Sequence, residues 1–527
     1  MKKHLVAAAG LLAAAMVATI GVAASAAPTG LNAANFQLHK TAYNPTIGAL
    51  DEKLPKATVP QVVDDANRAA PLCGSHASGR VASFCWSSAA GTDDEHTADW
   101  YPQGITTSAD ADPSGSYQNR KVILAGWYWN GGGTERGARI AFVDYSDPSK
   151  PVYRVVLLVE PYLNANQKPD FRAETTVDAD TGAKISLHAG GITWYGHYLY
   201  VADTWGGFRV FDLDHLWRVD STKTAIGLQS DGSYQAYSYK YVLPEAFRYT
   251  ASTTGYPALR YSAVSLDRTG TSDSMVVCEY NTSSSGTHRV VRFPADPGTF
   301  ELGAAATEAY ETGITHMQGS ASVRGRFFAS TSYTTSSSSY GSLYTFTRGE
   351  SPTGFLNTLQ AHPEDLSYWP ATNALWSQSE VPGNRVVYAM DVGLLGWPTV
   401  KQGNSGNRVK AVQYLLNQRQ NAGLDVDGAF GSLTTAAVKA FQSAHGIQAD
   451  GIVNPTTWKA LVLTLQPGDS GTAVKAVQTE LSAHGFATAV TGAFDQATES
   501  QVTAFESANG LPVTGVVDAD AWKSLLL

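Results

Sequence analysis

The chain has 527 residues, a formal net charge of −9 and only 16% charged residues. This length predicts several domains. The negative balance gives no electrostatic reason to expect nucleic acid or an anionic membrane as a partner. Abundant Gly, Ser, Thr and Tyr are more typical of a β-rich exported protein than of a cytosolic helical one.

The first 26 residues have the pattern of a secretory signal peptide. Lys2 and Lys3 precede an apolar run from Leu5 to Val22, which ends in the small residues Ala24-Ser25-Ala26. The alternative is an N-terminal membrane anchor, but the Ala-rich run and the cleavage tripeptide favour removal of residues 1–26. No other stretch approaches the ~20 apolar residues of a membrane span. We therefore expect a secreted, extracellular protein with no membrane span after cleavage.

Residues 27–95 form a predicted N-terminal extension that contains two of the three cysteines. Cys73 and Cys85 flank a short Gly- and Ser-rich loop, which in an oxidising compartment predicts a local disulfide. Cys278 lies in the apolar run SMVVCEY and is predicted to be a buried free thiol.

Residues 96–395 have the pattern of an all-β domain. Alternating runs such as KVILAGWY, HYLYVAD and RVVYAMDV predict half-buried strands, and clusters of Gly, Ser and Thr separate them. Many short strands joined by turns are typical of a sandwich, a barrel or a propeller.

A degenerate repeat favours the propeller among these folds. Five segments of similar outline begin at Tyr101, His188, Arg260, His316 and His362, and their starts are between 46 and 87 residues apart. This outline resembles β-propellers in general and implies five blades. A sixth blade, built from residues 60–95 with the last strand of the domain, is the alternative.

The C-terminal region is an internal repeat, with one copy at 399–462 (module 1) and another at 465–527 (module 2). Phe430 matches Phe494 and Trp458 matches Trp522, both 64 residues apart. Apolar residues at helical spacing predict three short helices around a small core in each copy. Ser432 or Leu433 should open the second helix, and Pro455 should stand in the first turn of the third.

Both modules carry G-x-S-G-x-x-V-x-x-V-Q, then a D-G-x-F or T-G-x-F turn, an A-F-Q or A-F-E helix and a closing G-[IV]-V-x-x-x-x-W. This pattern closely resembles the peptidoglycan-binding domain family. The resemblance implies three-helix bundles that bind cell-wall glycopeptide without catalysis, so the expected partner is peptidoglycan. A role as a mere spacer is the alternative. Glu506 replaces Gln442 and Asp495 replaces Gly431 in module 2, so equal affinity of the two copies is in doubt.

The inner strands of a propeller bring equivalent positions together at the channel mouth. The predicted ligand site there is a ring with a second layer two residues further on, made of Tyr101, Gln103, His188, Arg260, His316, Gln318, His362, Glu364 and Asp365. A polar concave mouth is a common ligand site. The opposing interpretation is that these residues only begin strands and bond to local backbone.

Two ligand classes fit such a ring. His188, His316 and His362 could bind a divalent metal, the one cofactor considered, with Glu364 or Asp365 adding a carboxylate. Together with Arg260 the histidines could instead hold an anionic sugar or phosphate.

Whether the β-rich domain is an enzyme stays open at this level. Glu364, Asp365, Asp203, Glu279 and Glu380 are candidate catalytic carboxylates, but sequence does not supply the distances that a catalytic pair requires. The chain contains no G-x-S-x-G or H-E-x-x-H motif. The residues therefore favour ligand or glycan recognition, and a wall-carbohydrate hydrolase with its active site at the mouth is the alternative.

Overall fold

The structure is a computed structural model that describes residues 21–23, 27–332 and 340–527. The predicted signal peptide lies outside the described residues except for Gly21–Ala23, whose backbone pairs with Thr353–Phe355. Among the described residues, no helix is both long and apolar enough to cross a bilayer. The chain is mostly β up to residue 391 and helical from residue 407.

Five groups of antiparallel strands, here called sheets 1 to 5, make up the β-rich part. From the inner to the outer strand, sheet 1 contains Trp100–Thr107, Val122–Trp129, Ala138–Asp144 and Val152–Leu163, and sheet 2 contains Ile192–Tyr195, Tyr198–Asp203, Gly207–Asp212 and Tyr241–Thr253. Sheet 3 contains Ala263–Asp267, Ser274–Cys278, Arg289–Asp296 and Glu308–Glu311, and sheet 4 contains Met317–Val323, Arg326–Thr331, Ser342–Phe346 and Thr353–Phe355. Sheet 5 contains Ser367–Trp369, Ala374–Gln378, Val386–Asp391 and Arg80–Cys85.

Shorter elements decorate these sheets. The remaining strands are Thr29–Gly30, Phe36–Lys40, Arg68–Ala69, Pro169–Ala173, Thr175–Val177, Lys184–Ser186, Trp217–Arg218, Ile226–Leu228, Tyr234–Ala236 and Glu301–Leu302. Helices α1 (Thr46–Asp51), α2 (Val59–Asp64) and α3 (Ser108–Ala111) are short, and 3-10 turns cover Ala33–Asn35, Leu213–His215, Pro370–Thr372 and Val392–Leu394.

The predicted N-terminal extension contributes strands to four of the sheets, since Arg68–Ala69 pairs with the outer strand of sheet 1. Phe36–Lys40 pairs with the outer strand of sheet 2, and Thr29–Gly30 pairs with that of sheet 3. Arg80–Cys85 pairs with Val386–Asp391 and thereby completes sheet 5. The segment considered for a sixth blade thus supplies the outer strand of an existing sheet. The Cys73–Cys85 disulfide is present, as predicted, and Cys278 is buried and free.

Side-chain hydrogen bonds connect the inner edges of the sheets in a closed cycle. Trp194 N donates to Thr106 between sheets 2 and 1, and Thr193 donates to the Val264 carbonyl between sheets 2 and 3. Ser265 donates to the Ser320 carbonyl between sheets 3 and 4, and Ser330 donates to the Glu364 carbonyl between sheets 4 and 5. Gln378 donates to the Gly104 carbonyl and closes the cycle from sheet 5 to sheet 1, and all five bonds are 2.6–3.0 Å long. The edges are so close that a Cβ on Gly191 would lie 2.2 Å from Val264 N. The glycine at position 191, directly before the strand Ile192–Tyr195, therefore permits the close approach of sheets 2 and 3.

Each module contains three helices, as the sequence predicted. They are α4 (Asn407–Gln420), α5 (Ser432–Ala444) and α6 (Pro455–Leu461) in module 1, and α7 (Thr472–Ala483), α8 (Gln496–Ala508) and α9 (Ala519–Leu526) in module 2. Asn454 caps α6 by accepting from the Thr457 N–H, with Pro455 in the first turn. The two modules share one apolar core, which contains the buried Trp458 and Trp522.

Both modules are docked on sheets 4 and 5. Lys459 of module 1 pairs with Asp391 at 2.7 Å, and Lys523 of module 2 donates to the Val392 carbonyl at 2.9 Å. Trp397, in the short junction, stacks near Trp458 with 6.0 Å between ring centroids. Since Lys523 and Trp397 are buried, the modules are packed against the β-rich part and are not suspended on a linker.

Candidate functional site

A connected group of polar side chains lies at one end of the inner strands, and we call it the inner-strand polar cluster. It contains Tyr101, Gln103, Tyr128, His188, Gln318, His362, Glu364, Asp365 and Glu380. The amide oxygen of Gln103 accepts from His188 Nε2 at 3.0 Å, and its amide nitrogen donates to Glu380 at 2.7 Å. His362 Nδ1 lies 3.6 Å from the other Glu380 oxygen. Four side chains from sheets 1, 2 and 5 therefore form one chain of contacts.

The floor of this cluster carries two buried carboxyl groups. Glu364 and Asp365 are 1% and 0% exposed. One Asp365 oxygen accepts the backbone N–H groups of Ile105 and Ile192, at 3.3 and 3.1 Å, and so holds three sheets together. Burial raises the pKa of both carboxyls well above its usual range, and the nearby Glu380 raises the pKa of Glu364 further. Both carboxyls therefore keep a proton to a higher pH than an exposed acid does.

Half-buried aromatic rings border the cluster. Tyr128 stacks on His188 with 4.3 Å between ring centroids, and Tyr101 lies beside Tyr128. Burial lowers the pKa of His188, so its imidazole is neutral near pH 7. Arg385 lies over Tyr101 at 5.2 Å, but its guanidinium donates to the backbone carbonyls of Asp94 and Glu380. A neutral imidazole, amides and aromatic faces make a surface suited to a hydroxyl-rich ligand.

Arg260 and His316 of the predicted ring both contact aromatic side chains. Arg260 lies over Trp205 at 4.5 Å and 3.6 Å from Asp180, so its charge is engaged outside the cluster. His316 meets Tyr280 edge-on, with 6.1 Å between centroids. The guanidinium of Arg260 is thus already engaged by Asp180 and Trp205.

The predicted metal ligands can be compared with the clusters in the structure. Across residues 27–332 and 340–527, one group of three His, Cys, Asp or Glu side chains has ligand atoms within 4.8 Å of one another, namely His197, Asp212 and Asp214. His188, His316 and His362 do not form such a group. Since metal–nitrogen bonds are ~2 Å long, ligand atoms must lie close together, so the three imidazoles do not make a preformed metal site.

The other candidate carboxylates have structural partners. Glu279 forms a bidentate pair with the buried Arg289 at 2.6 and 2.7 Å, and Asp203 pairs with Arg209 at 2.8 Å. Both pairs are buried and hydrogen-bonded, which is the usual condition of a charge inside a protein. Only Glu364, Asp365 and Glu380 among the candidates belong to the cluster.

Glu380 and Tyr128 are the members that the repeat alignment does not place in the ring. Both stand outside the inner-strand positions that were aligned, Tyr128 on the second strand of sheet 1 and Glu380 just beyond the second strand of sheet 5. An alignment of strand starts could not find them, although Glu380 had a signal as an acidic residue directly after a buried strand.

The modules contain a second kind of polar group, a buried amide or carboxyl that closes a loop. Gln442 donates to Asp450, Thr457 and the Ile452 carbonyl at 2.8–3.0 Å and accepts from the Gly451 N–H at 2.9 Å. In module 2, Glu506 accepts from Thr514 and from the Gly515 N–H at 2.7–2.9 Å. Asp495 caps α8, while Gly431 makes no side-chain cap on α5. Both departures between the modules thus have a role in folding.

Comparison with known proteins identifies the modules. The peptidoglycan binding domain family matches residues 405–461 and 470–525. The C-terminal region therefore consists of two peptidoglycan-binding domains, which supports a cell-wall glycan as partner.

Curated relatives match only part of the chain. An uncharacterized protein in the bpoA1 3' region of Kitasatospora aureofaciens is 49% identical over 65 residues, 12% of this chain and 55% of that protein. The zinc D-Ala-D-Ala carboxypeptidase of Streptomyces albus G is 34% identical over 99 residues, 18% of this chain and 38% of that enzyme. The chain thus spans about half or less of these relatives.

A solved structure of a peptidoglycan-binding protein from Clostridioides difficile, in complex with glutamine hydroxamate, is 26% identical. The match covers 23% of this chain and 59% of that one, with a TM-score of 0.13. Such a score carries no argument about the fold of the whole chain.

Proposed function

We propose that this is an exported protein that is held at the cell wall by its two peptidoglycan-binding domains and presents a five-bladed β-propeller for glycan recognition. The observation that carries wall binding is the pair of matched domains at 405–461 and 470–525. The closed cycle of hydrogen bonds between the inner edges of sheets 1 to 5 supports a propeller of five blades, with Arg80–Cys85 closing the last one.

The proposed ligand site of the propeller is the inner-strand polar cluster. Its rim offers Tyr101, Tyr128 and the imidazoles of His188 and His362, and its base offers the Gln103 amide. Aromatic faces beside an amide and imidazoles suit a neutral sugar, because the aromatic rings contact the sugar ring while the amide and the imidazoles form hydrogen bonds with its hydroxyls.

Sedimentation with purified sacculi tests wall binding. The full chain should pellet with sacculi, should be released by soluble disaccharide–peptides from digested sacculi, and should not pellet with cellulose. Protein that stays in the supernatant with sacculi would contradict the proposal.

Thermal shift tests the cluster. Soluble wall sugars should raise the unfolding temperature of the wild type, and this shift should be lost in His362→Ala. His39→Ala, which removes an exposed histidine beside Ser252, is the matched control. An equal shift in both variants would place the sugar elsewhere.

A carbohydrate hydrolase is the second candidate function. It is favoured by one observation, the buried Glu364, whose pKa is raised by burial and by the nearby Glu380, because glycosidases use an acid with a raised pKa and a second carboxylate. Release of reducing ends from sacculi, lost by at least ~100-fold in Glu364→Gln, is the expected result for a general acid. No release by the wild type would leave recognition as the function.

A further inference from the structure

The inner-strand polar cluster has a second aromatic side, which comes from sheet 3. Tyr280 stands two residues beyond the second strand of that sheet, Ser274–Cys278, and is half-buried. The Ser262 N–H donates to the Cys278 carbonyl at 3.1 Å, so the pairing of the two strands continues to this end of the sheet. Tyr128 is near the end of the second strand of sheet 1. The two tyrosines therefore lie at the same end of their sheets.

Contacts between sheets 3 and 4 hold Tyr280 beside the cluster. The ring of His316, directly before the first strand of sheet 4, meets Tyr280 edge-on with 6.1 Å between ring centroids. The His316 N–H donates to the carbonyl of Asn281, the next residue after Tyr280, at 2.9 Å. Two residues after His316, the Gln318 amide lies 3.4 Å from Glu364 Oε1. Tyr280 is thus connected to the floor of the cluster through the start of sheet 4.

Tyr128 and Tyr280 flank the same two carboxyl groups. Burial raises the pKa of both phenols, and the carboxyl groups of Glu364 and Glu380 raise the pKa of each phenol further. Because the interaction between charges falls with distance, both tyrosines lie near both carboxyl groups. Sheet 2 separates sheets 1 and 3 in the closed cycle. The two aromatic rings therefore approach the carboxyl groups from two sheets that are not neighbours.

Two aromatic platforms with carboxyl groups near both suit a chain of sugars. Tyr101 and Tyr128 lie side by side with 5.8 Å between ring centroids and form the first platform. Tyr280, with His316 at its edge, forms the second. An aromatic face contacts one sugar ring, and carboxyl groups form hydrogen bonds with hydroxyls. A single sugar would therefore use only one of the two platforms.

We propose that the inner-strand polar cluster binds an oligosaccharide of at least two sugar residues, with one sugar ring against Tyr101 and Tyr128 and another against Tyr280. This inference rests on the proposed glycan recognition and names the class of glycan, a neutral oligosaccharide. The carboxyl groups of Glu364 and Glu380 bond to hydroxyls between the two platforms. Tyr280 is the residue that gives the site its preference for length.

Calorimetric titration of the full chain with N-acetylglucosamine and its linear dimer and trimer measures how affinity depends on length. The wild type should bind the trimer about tenfold more tightly than the monomer. Tyr280→Ala should reduce this gain to less than about threefold and change the affinity for the monomer by less than about twofold. Tyr280→Phe should retain most of the gain, because the phenyl ring keeps the aromatic face. Tyr162→Ala, which removes a half-buried tyrosine on the outer strand of sheet 1, is the matched control.

Saturation-transfer NMR on the wild type repeats the test if Tyr280→Ala lowers the unfolding temperature. Both rings of the bound dimer should receive saturation from aromatic protons, and saturation of one ring alone would contradict the inference. Equal affinities for monomer and trimer, or equal losses of both in Tyr280→Ala, would also overturn it. Binding that His362→Ala still abolishes would then leave the proposed function intact. A wild type that binds none of these sugars removes glycan recognition itself.

Discussion

The modules and the inner-strand polar cluster both bury polar side chains, but they satisfy them to different degrees. Gln442 uses both its amide hydrogens and its oxygen on four partners within 16 residues of chain. In the cluster, Asp365 Oδ1 accepts no hydrogen bond from the described residues, and Glu364 Oε1 has the Gln318 amide at 3.4 Å.

This difference separates folding roles from candidate functional roles. A buried group with all its hydrogen bonds made contributes to stability. Carboxyls buried without enough donors shift in pKa, and such shifts concentrate at functional sites. Gln442 and Glu506 thus serve as loop closures in the modules, while the hydrogen bonds of the carboxyls in the cluster are incomplete.

The largest effect on stability should come from replacing the hydrogen-bond donor that closes the loop of module 1 by an acceptor. Module 1 pairs an amide donor, Gln442, with the Asp450 carboxylate, whereas module 2 pairs the Glu506 carboxylate with the Thr514 hydroxyl. Gln442→Glu alone places two carboxylates together in a buried site and should lower the local opening free energy by about 2–4 kcal/mol. Hydrogen exchange of peptides covering residues 432–461 measures this.

The double variant Gln442→Glu/Asp450→Thr reproduces the module 2 arrangement and should recover most of that loss. Asp450→Thr alone, which removes one acceptor, should cost about 1 kcal/mol. If the double variant is no more protected than Gln442→Glu, the two loop closures are not equivalent and the comparison between the modules fails.

The next effect concerns stability against pH. The raised pKa of Glu364 means that the native state keeps this proton after the unfolded chain has lost it. Wild-type stability should therefore fall as pH rises above the ordinary value of 4.5, by up to about 1.4 kcal/mol per pH unit from this group, until the folded pKa is passed. Glu364→Gln should remove this loss.

Unfolding temperatures between pH 4.5 and 7.5 provide the measurement. The difference between Glu364→Gln and the wild type should grow with pH in favour of the variant. Glu52→Gln, which removes an exposed carboxylate after α1, should follow the wild type. Parallel curves for all three proteins would mean that Glu364 is ionised and not a buried acid.

The smallest effect is on His188. Burial lowers the pKa of this imidazole, and the Glu380 carboxylate partly opposes that shift. Glu380→Gln should lower the pKa of His188 further, which NMR titration of histidine-labelled protein would detect. Glu52→Gln should leave that signal unchanged, and a rise in the His188 pKa in Glu380→Gln would refute the contact network drawn here.

Local pattern was enough to predict the modules. Their helices, the first-turn position of Pro455 and the matched tryptophans follow from periodicity and turn residues within each copy, because a helix shows its buried face in the spacing of its own apolar residues. The Cys73–Cys85 disulfide is local for the same reason. The alternation of apolar and polar residues likewise predicted an all-β region, since every second residue of a half-buried strand faces the core.

Only the tertiary structure decided the composition of the cluster and the docking of the modules on the β-rich part. Tyr128 and Glu380 reach the cluster from outside the aligned inner-strand positions, and Arg260 lies over Trp205, because the direction of a side chain depends on neighbours that are distant in the sequence. Arg324 meets Asp520 across 196 residues. The sequence repeat does not predict this ion pair, since docking depends on the complementarity of two folded surfaces and not on the residue pattern within either one.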